Sequence, residues 1–139
     1  MKNFIAVIAG LAAGICIISI IEFISSSVYP LPAELDFTDK NSLKDYIENL
    51  PSGALVFVLA GWALGSFAGG FVSSLISENR KIKCAIITGA ILFIVGLINL
   101  ITLPHPVWFW ITGLSVYFPF AYAGGKLGMK IKPAKKVSS

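Results

Sequence analysis

Residues 54–76 read ALVFVLAGWALGSFAGGFVSSLI, a stretch without a single charge in which Gly61, Gly65 and Gly69 recur every fourth position. An α-helix rises about 1.5 Å per residue, so a run of this length covers the roughly 30 Å of hydrocarbon in a bilayer. Three further apolar runs, at about 4–28, 84–103 and 107–127, fill most of the 139-residue chain. All four are apolar nearly all round, whereas a soluble bundle would show a polar stripe at the 3.6-residue period. Hydrophobic residues make up 56% of the chain and charged residues 13%, about half the usual charged share, which leaves no room for a separate soluble domain. The expectation is one integral membrane domain over 1–139: an all-α, antiparallel bundle of four transmembrane helices. The run at 4–28 is longer than the roughly 7–15 apolar residues of a secretory signal and lacks a small-residue cleavage site, so it reads as a retained helix.

Charge sorts by sign between the runs. Lys2, Arg80, Lys81, Lys83, Lys126, Lys130, Lys132, Lys135 and Lys136 lie before the first run, between the second and third, or after the fourth. The segment 29–53 instead holds Glu34, Asp36, Asp39, Asp45 and Glu48 against Lys40 and Lys44. Basic segments resist translocation, so both termini are expected on the cytoplasmic side of the membrane and 29–53 outside. The net charge of +4 thus reflects topology and predicts no nucleic-acid partner. Cys16 and Cys84 belong to no redox or metal motif and read as small packing residues.

Within the outer segment, Tyr29-Pro30-Leu31-Pro32 ends the first helix, because the prolines remove donors and impose an extended exit. Residues 42–50 read as a short amphipathic helix capped by Asn41 or Ser42 and stopped by Pro51. Leu43, Tyr46, Ile47 and Leu50 share its apolar face. Pro104-His105-Pro106 is a tight outer turn, and Trp108, Phe109 and Trp110 after it form an interfacial aromatic belt.

To the glycine row Gly61, Gly65 and Gly69, extended by Ser73, the first helix offers a matching surface in Ala6, Gly10 and Gly14. Bare ridges let backbones approach closely in lipid. The row either packs these two helices together or mediates association with a second copy or a larger membrane-protein partner. A second row, Ser66, Gly70 and Ser74, runs beside it. Each half also closes with Ala-Gly-Gly (Ala68-Gly69-Gly70, Ala123-Gly124-Gly125), a faint internal repeat.

Glu22 is the one acidic residue inside a span, and a carboxyl at that depth is a functional candidate by default. Ser19 and Ser26 share its face. Asn99 on the third run and the stripe Thr112, Ser115, Pro119, Tyr122 and Lys126 on the fourth are the candidate partners. Pro119 leaves the Ser115 carbonyl without its helical donor. Glu22, Ser19, Ser26, Asn99, Ser115 and Tyr122 either line an ion or proton route or are ordinary structural polar groups. His105 has no neighbouring Cys, His or carboxylate pair, so no metal site is expected. No phosphate loop, nucleophile elbow or metalloprotease signature occurs, so no cofactor is expected, and an enzymatic activity would require an outer cleft that gathers His105, Glu22 and loop carboxylates within hydrogen-bond reach.

Leu43-Lys44-Asp45-Tyr46-Ile47-Glu48-Asn49-Leu50-Pro51 and Leu103-Pro104-His105-Pro106-Val107-Trp108-Phe109-Trp110, with the Gly61–Gly70 ridge, resemble a functionally uncharacterised group of small four-span bacterial inner-membrane proteins. That resemblance implies the fold and assigns no activity. Four short spans with one carboxyl in the first helix are also similar to small multidrug-resistance transporters, from which the off-centre Glu22 and the long outer loop depart. The expected role is a non-enzymatic membrane protein that packs with itself or a partner. The alternative is a small transporter or channel using Glu22.

Overall fold

A computed structural model describes residues 1–133, which are helical without strands: α1 (Lys2–Val28), α2 (Lys40–Glu48), α3 (Ser52–Ile76), α4 (Lys81–Thr102), α5 (Val107–Ser115) and α6 (Tyr117–Ile131). Lys135 and Lys136 of the basic tail lie outside the described residues. Three helices, α1, α3 and α4, with 27, 25 and 22 residues, are long and apolar enough to cross a membrane.

The fourth apolar run is not one helix. It breaks at Val116 into α5 and α6. Pro119 has no N–H for the Ser115 carbonyl and its ring crowds that oxygen, so helical bonding lapses there. Bonding resumes where the Phe120 N–H donates to the Val116 carbonyl at 3.2 Å. Beyond the break α6 runs past residue 127, carrying Lys126 and Lys130 to Ile131.

Small residues set the helix packing. A Cβ built on Gly10 would lie 2.6 Å from the Gly69 carbonyl oxygen, and one on Gly14 would lie 2.9 Å from that of Gly65. The reciprocal approaches, Gly65 to the Gly14 oxygen and Gly69 to the Gly10 oxygen, are 2.9 and 3.0 Å. One partner's number falls by four as the other's rises by four, so α1 and α3 run antiparallel. Gly61 is looser, its nearest neighbour being Ile21 at 3.4 Å. The other bare row of α3 takes α6: Ser74 Oγ donates to the Gly125 carbonyl at 2.8 Å, and a Cβ on Gly128 would lie 2.8 Å from the Phe71 oxygen. Gly124 lies against Phe67 as Gly128 lies against Phe71, so this pair is parallel. Finally, α4 runs antiparallel to α6, with Ala85 beside Gly125, Gly89 beside Ala121 and Gly96 beneath the Tyr117 ring.

All 13 glycines of the chain lie against another segment, so no glycine ridge remains on the outside. Large apolar side chains such as Phe4, Ile15, Ile98 and Ile111 point outward instead. That inversion of the soluble pattern suits lipid as the solvent, where tails are as apolar as leucine and packing must come from close van der Waals contact. The faint repeat appears as two antiparallel pairs, α1/α3 and α4/α6, that meet through the two Ala-Gly-Gly segments. It is incomplete, since α3 touches α4 while α1 does not touch α6.

An aromatic core of Trp62, Phe109 and Tyr117 joins α3, α5 and α6 against Leu92 and Leu100 of α4, with ring centroids 5.3 Å (Trp62–Phe109) and 5.5 Å (Trp62–Tyr117) apart. Phe109 therefore belongs to the core, fully buried, and not to the expected interfacial belt; Trp108 stays outside. Cys84 is buried as expected, but Cys16 is exposed on α1.

At the basic end a set of polar contacts ties the chain together. Lys2 pairs with Glu78, and Ser77 Oγ donates to the Asn3 side chain at 2.9 Å. Lys81, one of the basic residues between the second and third runs, is buried. Its Nζ donates to the Ser74 and Ser77 carbonyls at 2.8 and 2.6 Å, oxygens orphaned by the end of α3. A cation is favoured there because those carbonyls carry the negative end of the helix dipole.

Two substitutions test this packing. Gly10→Ala places a methyl against the Gly69 backbone and should cost about 1–3 kcal/mol, whereas Gly61→Ala meets only ordinary contacts and should be near neutral. Thermal unfolding of the two variants in one detergent measures the difference; equal stabilities would contradict the close α1/α3 approach.

Candidate functional site

The acidic end of the helices carries two adjoining clefts with titratable groups around them. Its cover is α2. Asp39, not Asn41 or Ser42, is the N-cap: its carboxylate accepts from the Asn41 N–H at 3.0 Å. Asn49 closes the helix, its side-chain amide donating to the Asp45 carbonyl at 2.8 Å. In the turn before α2, Asp36 accepts from the Thr38 hydroxyl (2.6 Å) and N–H (2.9 Å), which holds its carboxyl below the usual range. Leu43 and Ile47 are buried beneath α2, with Tyr46 and Leu50 half-buried beside them. No other helix brings a Cα within 8 Å of α2, so side chains alone hold it over the helix ends.

The space beneath is a cleft of about 240 Å³. Glu22, Ser25, Ser26 and Tyr29 line it from α1 and its exit, Tyr46 and Ile47 from α2, Leu55 and Val58 from α3, and His105 from the α4–α5 turn. A wider cleft of about 610 Å³ adjoins it, sharing Tyr29, Leu35, Tyr46 and Leu50 and adding Glu34 and Asp45. The inner space is thus mostly apolar with one carboxylate, and the outer one is acidic.

His105 is more than a turn residue. Its Nδ1 lies 3.0 Å from the Leu103 carbonyl, fixing the tautomer that donates there, and its ring stacks on Phe109 at 4.9 Å and 15°. Burial pushes its pKa below the ordinary value, with the Leu103 carbonyl opposing more weakly. Glu22 faces the same cleft, and Lys44 and Glu48 face His105 across a neighbouring hollow. Burial also raises the Tyr46 phenol, so it stays protonated at neutral pH.

Of the ion- or proton-route candidates Glu22, Ser19, Ser26, Asn99, Ser115 and Tyr122, only Glu22 and Ser26 line this cleft. Ser19 is exposed elsewhere on α1, and Ser26 Oγ donates to its own helix, to the Phe23 carbonyl at 2.8 Å. Asn99, named as a candidate partner of Glu22, is exposed, because Leu100 takes the buried position one helical turn after Gly96. Ser115 and Tyr122 are exposed as well. Ser115 donates to the Thr112 carbonyl at 2.9 Å, and Lys126 lies over the Tyr122 ring at 5.7 Å. The expected polar stripe of the fourth run faces outward because α5 and α6 bury Phe109, Gly113, Tyr117, Ala121, Gly124 and Gly128 instead. Gly10, Gly14, Gly61, Gly65 and Gly69 meet one another or their neighbours at the α1/α3 interface.

Tyr29 and Tyr46 are the cleft residues that sequence reasoning did not assign to a site. The signal was present: Tyr46 lies on the apolar face of a helix joined to the start of α3 by residues 49–51 alone. Among the described residues no hydrogen bond joins Glu22, His105, Tyr29 or Tyr46 to another of the four, and no three His, Cys, Asp or Glu side chains are placed to hold a metal ion. The arrangement suits recognition of a positively charged, partly apolar group. Glu22 supplies the charge, and the tyrosine rings supply faces for a cation.

The lowered His105 value ties stability to pH. The unfolded chain takes up its imidazole proton at higher pH than the folded one, so folding stability declines as pH falls below the ordinary value of 6.5. The melting temperature in detergent should drop between about pH 7 and pH 5, and His105→Phe should flatten that decline; a profile untouched by the substitution would assign the dependence to another group. Comparison with family models, curated proteins and solved structures gives no match for this chain.

Proposed function

We propose that the chain is a four-span protein of a bacterial inner membrane, with α5 and α6 together forming the fourth span, and that it acts by binding rather than by catalysis. Both termini lie in the cytoplasm and α2 covers the outer face. The excess of Lys and Arg at the end that joins Lys2, Arg80 and Lys130 supports this orientation. The ligand is an amphiphilic cation, whose charged head sits at Glu22 and whose apolar part lies among Leu55, Val58 and Ile47.

One observation carries the reading. Glu22 lines an apolar cleft with no hydrogen bond or ion pair from the described residues, and the approach to that cleft passes Glu34 and Asp45. A carboxylate at the membrane interface without a protein partner is left to find its cation elsewhere. At about 240 Å³ the cleft admits a small head group or one end of a longer molecule.

A transporter reading rests on the same carboxylate and its depth in α1. The two differ in whether the ligand crosses. Binding of a short-chain alkyltrimethylammonium to the purified protein, followed calorimetrically, should weaken about tenfold or more in Glu22→Gln. Equal affinity in the two proteins would end the cation-binding proposal. Flux of the same cation into liposomes, lost in Glu22→Gln, would select the transporter reading over simple binding.

A further inference from the structure

At the opposite end of the molecule, α1 and α4 leave a groove of about 390 Å³ between them. Val7, Ile8 and Leu11 line it from α1, and Ile87 and Ile91 from α4, with Arg80 and Lys83 at its mouth. From Lys83 to Ile91 the helix rises about 12 Å, less than half the thickness of the hydrocarbon layer. The groove is therefore the length of part of an acyl chain and too short to seat a whole transmembrane helix.

Its charge sets it apart from the other basic-end hollow. That hollow, lined by Lys2, Glu78 and Lys132, contains the Lys2–Glu78 ion pair. Lys81 is committed to the carbonyls at the end of α3. Arg80 and Lys83, by contrast, are exposed and make no ion pair or side-chain hydrogen bond with the described residues. Two unpaired cations thus stand over an apolar channel that leads down the helices, and no carboxylate lines it.

We infer that this α1/α4 groove is a binding site for one anionic phospholipid, with its phosphate held by Arg80 and Lys83 and one acyl chain lying against Val7, Leu11, Ile87 and Ile91. A guanidinium can engage two phosphate oxygens at once while the ammonium adds a point charge. The half-exposed Ile8 and Ile87 gain contact with a chain ordered in the groove. This site is separate from the outer cleft and shares with it only the bilayer as solvent.

The experiment uses the full chain, delipidated in detergent and given back phosphatidylglycerol, phosphatidylcholine or inorganic phosphate. Native mass spectrometry of the monodisperse protein reads lipid retention. Two basic residues beside an anionic head group correspond to a preference for phosphatidylglycerol of about thirtyfold. The double variant Arg80→Gln/Lys83→Gln, altered only at exposed positions, should lose this preference. Lys126→Gln/Lys130→Gln, which removes two exposed charges from the same end, should keep it. The proposal is overturned if the two lipids are retained equally, if both double variants behave alike, or if phosphate competes as well as the lipid does, since the apolar groove would then play no part. Dimers that form in place of lipid retention would overturn it too, by giving the groove to a second copy.

Discussion

Everything in this molecule depends on how closely α3 lets its neighbours come. Gly65 and Gly69 meet the carbonyls of Gly14 and Gly10 on one side, and Gly70 and Ser74 meet α6 on the other. In lipid there is no hydrophobic gain from bringing helices together, so association rests on dispersion at short range, which falls away within an ångström of separation. A helix with two bare faces can be touched along its length by two partners at once. Thr88 and Leu92 of α4 then reach into the junction of α1 and α3, and the aromatic cluster around Trp62 fills the part where side chains are large.

Polar groups follow the same economy of distance. Most hydroxyls within the helices bond a carbonyl of their own helix: Ser66 to Trp62, Thr88 to Cys84 and Thr112 to Trp108. A donor in an apolar medium must be satisfied, and the carbonyl one turn back is always within reach. Few polar contacts are left to cross between helices, and those that do gather near the basic end, where Asn3, Ser77 and Glu78 join the start of α1 to the turn after α3. The middle is consequently close-packed, and the charged groups without a partner among the described residues stand toward the two ends. Glu22 and the tyrosines occupy one end, Arg80 and Lys83 the other.

The candidate site was only partly legible. Glu22 stood out because a carboxylate inside an apolar run is conspicuous whatever surrounds it. Its surroundings could not be read off a helical wheel. Asn99 and the Thr112–Lys126 stripe are the partners that the sequence alone offers Glu22, because polar residues on one face can bond between helices or line a route. Inward positions went to glycine, alanine and aromatic residues, because in lipid it is shape and not polarity that selects the buried face. Tyr46 and His105 came to Glu22 through the loop that folds α2 back and the turn at Pro104 and Pro106, contacts far apart in sequence.

The sequence by itself determined the number and length of the apolar runs, the segregation of charge, the turns at the prolines and the donor missing at Pro119. These are local consequences of hydropathy, chain stiffness and a missing N–H. Only the tertiary structure decided which glycine row received which helix, that Phe109 left the surface for the core, and that Lys81 turned inward to cap α3. It alone joined Glu22, Tyr46 and His105 around one cleft. Pairing of that kind depends on the fit of two surfaces at a few tenths of an ångström, and a single strand of residues carries no record of the surface it will meet.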